Sequence, residues 1–181
     1  MNIYQPAEDS YLLSETLNFL LKKKEKNIKI LDLGSGSGIQ AEMCRKLGFK
    51  NILTSDINQK AIELLTKKKF KSIKSDLFEN ITEKFDLIVF NPPYLPEDKK
   101  EPLNSKVSTT GGKRGYELIS NFLKQSKRYL NTSGQILFLI SSLTNPKIVI
   151  GKAKNLGYNI QQINKKNLFF ESLFVYICFK K

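Results

Sequence analysis

The chain has 181 residues with 40% hydrophobic side chains, among them 12 Phe and 7 Tyr, which is one domain's worth of chain over residues 1–181 with enough apolar mass to fill a core unaided. Histidine is absent, which excludes Ser-His-Asp and Cys-His nucleophile sites and His-ligated metals, and the two cysteines, Cys44 and Cys178, sit in apolar surroundings without CxxC spacing and read as core residues of a protein from a reducing compartment. The net charge of +13 comes mostly from lysine, with only Arg45, Arg114 and Arg128 as arginines, so it describes solvated faces better than a phosphate-reading surface.

No apolar run reaches the ~20 residues a bilayer span requires, and MNIYQPAEDS is acidic, unlike a signal or transit peptide; a cytoplasmic protein is expected. Along the chain the apolar period alternates between helix and strand. Residues 10–21 read as a helix entered through Glu8 and Asp9, which suit the positive end of its dipole, and Ile28 to Leu33 as a strand. A helix near Ile39 to Leu47, a strand Asn51 to Ser55 and a helix Gln59 to Lys68 capped by Asn58 follow, then strands Phe70 to Lys74 and Phe85 to Phe90. Residues 91–115 have no periodicity and form a long loop of the kind that carries function. A helix from Tyr116 to Leu130, a strand Gln135 to Ser141, a helix Pro146 to Asn155 and strands Tyr158 to Ile163 and Ser172 to Phe179 close the chain. This alternation predicts an α/β fold, a doubly wound, mostly parallel seven-stranded sheet with a C-terminal antiparallel hairpin.

Chemistry gathers at strand ends. Asp32-Leu33-Gly34-Ser35-Gly36-Ser37-Gly38 follows the first strand and opens the next helix, where glycines admit a nucleotide-like ligand to the backbone. Ile39 stands where a dinucleotide fingerprint requires its third glycine, and no phosphate-loop lysine motif is present. Asp32 suits a cationic amine rather than a pyrophosphate, and S-adenosylmethionine is such a ligand. Asp56, 20 residues after Gly36, is placed to accept both ribose hydroxyls, its other reading being a helix cap, a place Asn58 fills better. Asp76 is placed to accept an adenine amino group while Leu77 covers the ring, though Ser-Asp after a strand is also turn chemistry.

Asn91-Pro92-Pro93-Tyr94 follows the strand Phe85 to Phe90. Two consecutive prolines remove two donors and fix φ, giving a rigid segment with outward carbonyls. The Asn91 side-chain oxygen and the Pro92 carbonyl can accept the two N–H bonds of a planar NH2 group while Tyr94 stacks on it. That aims a weak nitrogen nucleophile and stabilises the charge that develops on it.

These segments resemble class I S-adenosylmethionine-dependent methyltransferases, Rossmann-like enzymes acting on planar amines. Asn-Pro-Pro-Tyr resembles in particular the HemK-type protein glutamine N5-methyltransferases. Tyr4 to Leu13 is similar to the N-terminal signature of the archaeal and eukaryotic branch, Gly111-Gly112-Lys113-Arg114-Gly115-Tyr116-Glu117 to its Gly-Gly-x-x-Gly-x-Glu segment, and Glu171 to Val175 to its closing strand. The resemblance implies cofactor contacts from Ser10, Asp32, Gly34, Gly36, Asp56, Ile57, Asp76, Leu77 and Asn91, and a substrate amide held by Asn91, Pro92, Pro93 and Tyr94. Ser10 on its own reads as a helix cap. No metal is implied. The expected substrate is the Gly-Gly-Gln glutamine of a translation termination factor, and the expected partner a small zinc-ribbon activator adding to an exposed sheet edge, for which Phe70 to Lys74 is the candidate strand. An exocyclic amine such as adenine N6 in DNA or RNA is the alternative substrate, set against the lack of a nucleic-acid module and of loop length beyond residues 95–115 to hold a flipped base.

Overall fold

The computed structural model describes residues 3–98, 102 and 108–180. Its sheet has seven strands: β1 (Ile30–Leu33), β2 (Ile52–Asp56), β3 (Lys71–Lys74), β4 (Phe85–Phe90), β5 (Leu130–Ser141), β6 (Tyr158–Asn167) and β7 (Ser172–Lys180). Among the described residues the helices that join them are α1 (Glu8–Leu21), α2 (Ile39–Lys46), α3 (Gln59–Lys67), α4 (Glu117–Ser126) and α5 (Pro146–Asn155). The strand order is β3-β2-β1-β4-β5-β7-β6, parallel from β3 to β5, with β7 antiparallel to β5 and β6 antiparallel to β7.

Successive strand residues bury on opposite faces, which is why the central strands read as continuous apolar runs. Leu31, Leu33, Ile88, Phe90, Ile136 and Phe138 pack with Phe122 of α4 and Val149 of α5. Ile30, Leu87, Val89, Leu137 and Leu139 pack with Leu13 and Leu17 of α1, Ala41 and Cys44 of α2 and Leu65 of α3. Both cysteines are free and buried, and burial pushes the Cys178 thiol up to about 12.

Helix α1 begins at Glu8, and Ser10 lies inside its first turn while Ala7 holds the cap position, so Ser10 is not a cap. Asn58 does cap α3, its side chain accepting from the Lys60 N–H at 3.1 Å. The helix expected to reach Leu130 ends at Ser126 with a 3-10 turn over Lys127–Tyr129, and Leu130 instead opens β5, paired with Phe85. The polar run Asn131 to Gly134 hides this, because the ladder is irregular there and a side chain at Gly134 would come within 2.8 Å of the Phe85 carbonyl. Strand β6 likewise outruns its expected end at Ile163 by continuing to Asn167 through polar residues, with a register shift between Gln162 and Asn164. The third strand stops at Lys74, leaving Asp76 two residues beyond it, and among the described residues β3 pairs only with β2, which makes it an edge. Of the long loop 91–115, residues 99–101 and 103–107 lie outside the described residues.

Candidate active site

A cavity of about 340 Å³ opens at the carboxyl ends of β1, β2 and β4, where strand order reverses between β1 and β4. Every sequence-predicted site residue lines it: Ser10, Asp32, Gly34, Gly36, Asp56, Ile57, Asp76, Leu77 and Asn91 to Tyr94.

The glycine turn is built for close approach. Gly34 has φ +61°, and a side chain there would press to 3.1 Å from the Phe90 ring beneath it. Gly36 has φ +52° and faces open space, so the cradle in front of it is free for a ligand. Its N–H donates to Asp56 Oδ2 at 2.8 Å, while Asp56 Oδ1 accepts the Asn58 N–H at 2.8 Å. A carboxylate offers about four lone-pair sites, so Asp56 retains acceptor capacity for two further donors such as vicinal hydroxyls. Burial raises its pKa, against the opposing effect of those backbone donors.

Asp32 is 2% exposed and accepts the Ala41 N–H at 3.1 Å. Burial first, and the nearby Asp56 carboxylate after it, push its pKa up to about 7 despite that N–H. A buried carboxyl in this condition favours a cationic neighbour. Gln40 donates from Nε2 to the Ser10 carbonyl at 2.9 Å, and its buried Oε1 faces no partner. Leu77 has φ +46°, a left-handed backbone that costs a β-carbon residue on the order of 1–3 kcal/mol and holds its side chain on the cavity wall.

Asn91 follows β4 directly. Its Nδ2 donates to Asp9 Oδ2 at 3.0 Å and lies 3.5 Å from Ser10 Oγ. Its Oδ1 is buried and has no partner. Tyr94 is half-buried, and its hydroxyl is held far above the usual range by burial first, with Asp9, Glu171 and Tyr4 adding to it.

The glycine segment after the long loop braces this strip. Gly111 donates to the Leu95 carbonyl and accepts from the Leu118 N–H, both at 2.9 Å. A β-carbon on Gly111 would meet the Pro93 carbonyl at 2.7 Å and the Gly115 carbonyl at 2.3 Å. Glu117 closes the turn by accepting the Arg114 N–H at 3.0 Å. From the opposite side Thr144 Oγ1 donates to the Tyr94 carbonyl at 3.2 Å. The Gly-Gly-x-x-Gly-x-Glu spacing thus has a physical role, which is to let two backbones meet behind Pro93 and Tyr94.

Sequence reading missed Tyr4 and Asp9 as parts of the site. The sequence relates Asp9 to the helix dipole and to the N-terminal signature but not to the site, yet it lies on the same face of α1 as Leu12, Leu13 and Thr16, three, four and seven residues on, all of them buried. That spacing was the available signal, because an acid on the apolar face of a helix needs partners there.

The methyltransferase small domain family matches residues 10–169. A protein of Methanocaldococcus jannaschii carrying the provisional name protein N5-glutamine methyltransferase is 39% identical, the match covering 96% of this chain and 89% of that protein. The release factor glutamine methyltransferase of Fusobacterium nucleatum is 33% identical over 75% of this chain and 43% of its own, longer length. Among solved structures, the E. cuniculi Mtq2–Trm112 complex, described as responsible for methylation of the eRF1 translation termination factor, matches over 100% of both chains with a TM-score of 0.80 and 27% identity. The chain belongs to the methyltransferase small domain family, in its HemK-type branch.

Proposed function

We propose that this protein transfers a methyl group from S-adenosylmethionine to the side-chain amide nitrogen of a protein glutamine, the Gly-Gly-Gln glutamine of a translation termination factor. The observation that carries this reading is Asn91 Oδ1: a buried acceptor without a partner, on a residue that lines a cavity which also holds a buried carboxyl and an open glycine cradle. A buried acceptor left unpaired costs about 1–3 kcal/mol, and a donor supplied by a substrate removes that cost.

The donor set fits S-adenosylmethionine. Asp32 faces its cationic amine, Asp56 its ribose hydroxyls, Gly34 and Gly36 admit it to the backbone, and Ser10, Ile57, Asp76, Leu77 and Asn91 wall it in. When bound, it supplies an electrophilic methyl on a sulfonium, whose C–S bond breaks with its electron pair left on sulfur as the N–C bond forms. Asn91 Oδ1 and the Pro92 carbonyl accept the two N–H bonds of the glutamine amide, Pro93 keeps the strip rigid, and Tyr94 covers the planar group. Orientation plus two fixed acceptors stabilise the positive charge growing on nitrogen until one of its protons leaves to water. No basic side chain is needed in the step.

Residues 1–181 act in this reading as one methyltransferase domain. A small zinc-ribbon partner adds to the edge strand β3, beyond which no strand lies among the described residues. The work is cytoplasmic, where termination factors act; among the described residues no helix is long and apolar enough to cross a membrane.

The test is mass spectrometry of the Gly-Gly-Gln peptide of the organism's termination factor after incubation with labelled S-adenosylmethionine, with and without a zinc-ribbon partner. One methyl on the glutamine, absent with Asn91→Ala, is expected. No transfer in either condition while the cofactor binds normally would reject the substrate and turn the search to exocyclic amines of nucleic acid.

A further inference from the structure

We infer that Asp9 is the positioning residue that decides which atom of the Asn91 amide faces the acceptor substrate. The inference rests on the glutamine reading above and deepens it. The oxygen and nitrogen of a side-chain amide are almost the same size, so turning Asn91 over about its last torsion changes little in packing. It would, however, present an NH2 to a substrate NH2, and the site would repel the group it has to hold. The neighbours of Asn91 must therefore choose the orientation.

Asp9 makes that choice. Its Oδ2 lies 3.0 Å from Asn91 Nδ2, and an acceptor in that place requires a donor opposite it. With the nitrogen held there, Oδ1 is left turned away, buried and unpartnered. The other carboxylate oxygen is itself anchored: Oδ1 accepts the Tyr4 hydroxyl at 3.0 Å, the Ser10 N–H at 2.6 Å and the Ser10 hydroxyl at 3.3 Å. Four donors thus converge on a side chain only 4% exposed. A helix dipole does not require such burial. Glu8, in the same first turn, satisfies the dipole from the surface, exposed and paired with Lys166. Asp9 is turned inward, across 82 residues of sequence, to one particular atom of the substrate strip.

The test uses the full-length protein, with its partner where one is needed, and the variants Asp9→Asn and Asp9→Asn combined with Asn91→Asp. The single variant is isosteric but brings an NH2 against Asn91, which then turns its oxygen toward position 9 and its nitrogen into the cavity. We expect kcat for the termination-factor glutamine to fall about a hundredfold, with cofactor affinity changed less than about threefold and the melting temperature close to wild type. In the double variant donor and acceptor trade places: the amide at position 9 donates to one carboxylate oxygen at position 91, and the other oxygen faces the cavity whichever way the group turns. Recovery of kcat by about tenfold over the single variant is expected, a result that a merely structural role for Asp9 would not produce. Unchanged kcat in Asp9→Asn, or no recovery in the folded double variant, overturns the inference. An independent readout is hydrogen exchange of the Asn91 side-chain NH2 by NMR, expected to be protected in the wild type and fast in Asp9→Asn. Equal exchange in the two proteins also overturns it. A wild-type protein that methylates no glutamine would reject the reaction, and the exchange measurement would still decide the orientation.

Discussion

Replacing Asp32 by asparagine should stabilise the ligand-free protein and weaken the cofactor at the same time. In the unfolded chain this carboxyl ionises near 3.8, and in the folded protein burial pushes it up to about 7. Between those values the folded state holds a proton that the unfolded state has released, so this group makes folding stability fall as pH rises from about 4 to about 7, after which its cost is complete. At roughly 1.4 kcal/mol per unit the cost at pH 8 is up to about 4 kcal/mol. Asparagine keeps the shape and an acceptor for the Ala41 N–H but carries no charge. For a chain of this size 1 kcal/mol moves the melting temperature by about 2–4 °C, so Asp32→Asn should melt on the order of 10 °C higher than wild type at pH 8 and at the same temperature near pH 4. Cofactor affinity should move the other way by at least about tenfold, because the cationic amine loses its counter-charge. Wild-type binding near pH 7 should also release part of a proton, read by calorimetry in buffers of different ionisation enthalpy. A variant less stable than wild type at pH 8, beside a wild type whose stability is flat from pH 5 to 8, would refute the reasoning.

Three further expectations are simple to check. Asn91→Ala should lower methyl transfer by about a hundredfold or more while equilibrium binding of the cofactor falls far less, since Asn91 is one of several side chains along the cofactor's part of the cavity but supplies an acceptor to the substrate amide; a rate within tenfold of wild type would contradict it. Gly111→Ala should cost more than about 2 kcal/mol in denaturant unfolding, because the added carbon meets two backbone carbonyls that cannot yield without moving Pro93 and Gly115; a cost below about 0.5 kcal/mol would show the strip to be looser than its packing implies. Phe169 and Phe170 stand 92% and 86% exposed at the tip between β6 and β7, so changing both to serine should shift the unfolding midpoint hardly at all; a loss of several kcal/mol would mean that the tip packs against the chain.

The architecture was legible because its cause is local. Strand β4 and helix α5 have the bounds their apolar period and flanking prolines announce, and Asn58 caps α3 as its side chain allows. The boundaries that escaped are tertiary. Leu130 joins a strand because Phe85 lies opposite it, and Asn164 to Asn167 stay extended because β7 pairs with them, although nothing in their own pattern asks for it. The site divides in the same way. Asp32, the glycine turn, Asp56 and Asn91 to Tyr94 stand at strand ends and could be read one segment at a time. For Asp9 the spacing on the apolar face of α1 announces a buried acid but not its partner, which lies 82 positions away.

The costs in this molecule converge on one place, and that convergence itself argues for function. Three of the four buried side-chain acceptors without partners among the described residues are Gln40 Oε1, Asn91 Oδ1 and Glu171 Oε2. The first two belong to residues lining the cavity, and Glu171 lies close enough to Tyr94 on its wall to raise that hydroxyl's pKa. Leu77 holds its left-handed backbone on the same wall, and Asp32 keeps there a carboxyl whose charge burial resists. A chain optimised for stability alone would distribute or remove such features, and single substitutions could remove each. Their collection around one cavity is what a site pays for being ready before its ligands arrive: acceptors already fixed need no reorganisation when an amide enters, and a carboxyl short of a counter-ion gains most from a cation. The absence of histidine then ceases to be a deficiency. A reaction in which the electrophile brings its own positive charge asks the protein for orientation and for acceptors held in place, and the side chains around Asn91 provide both.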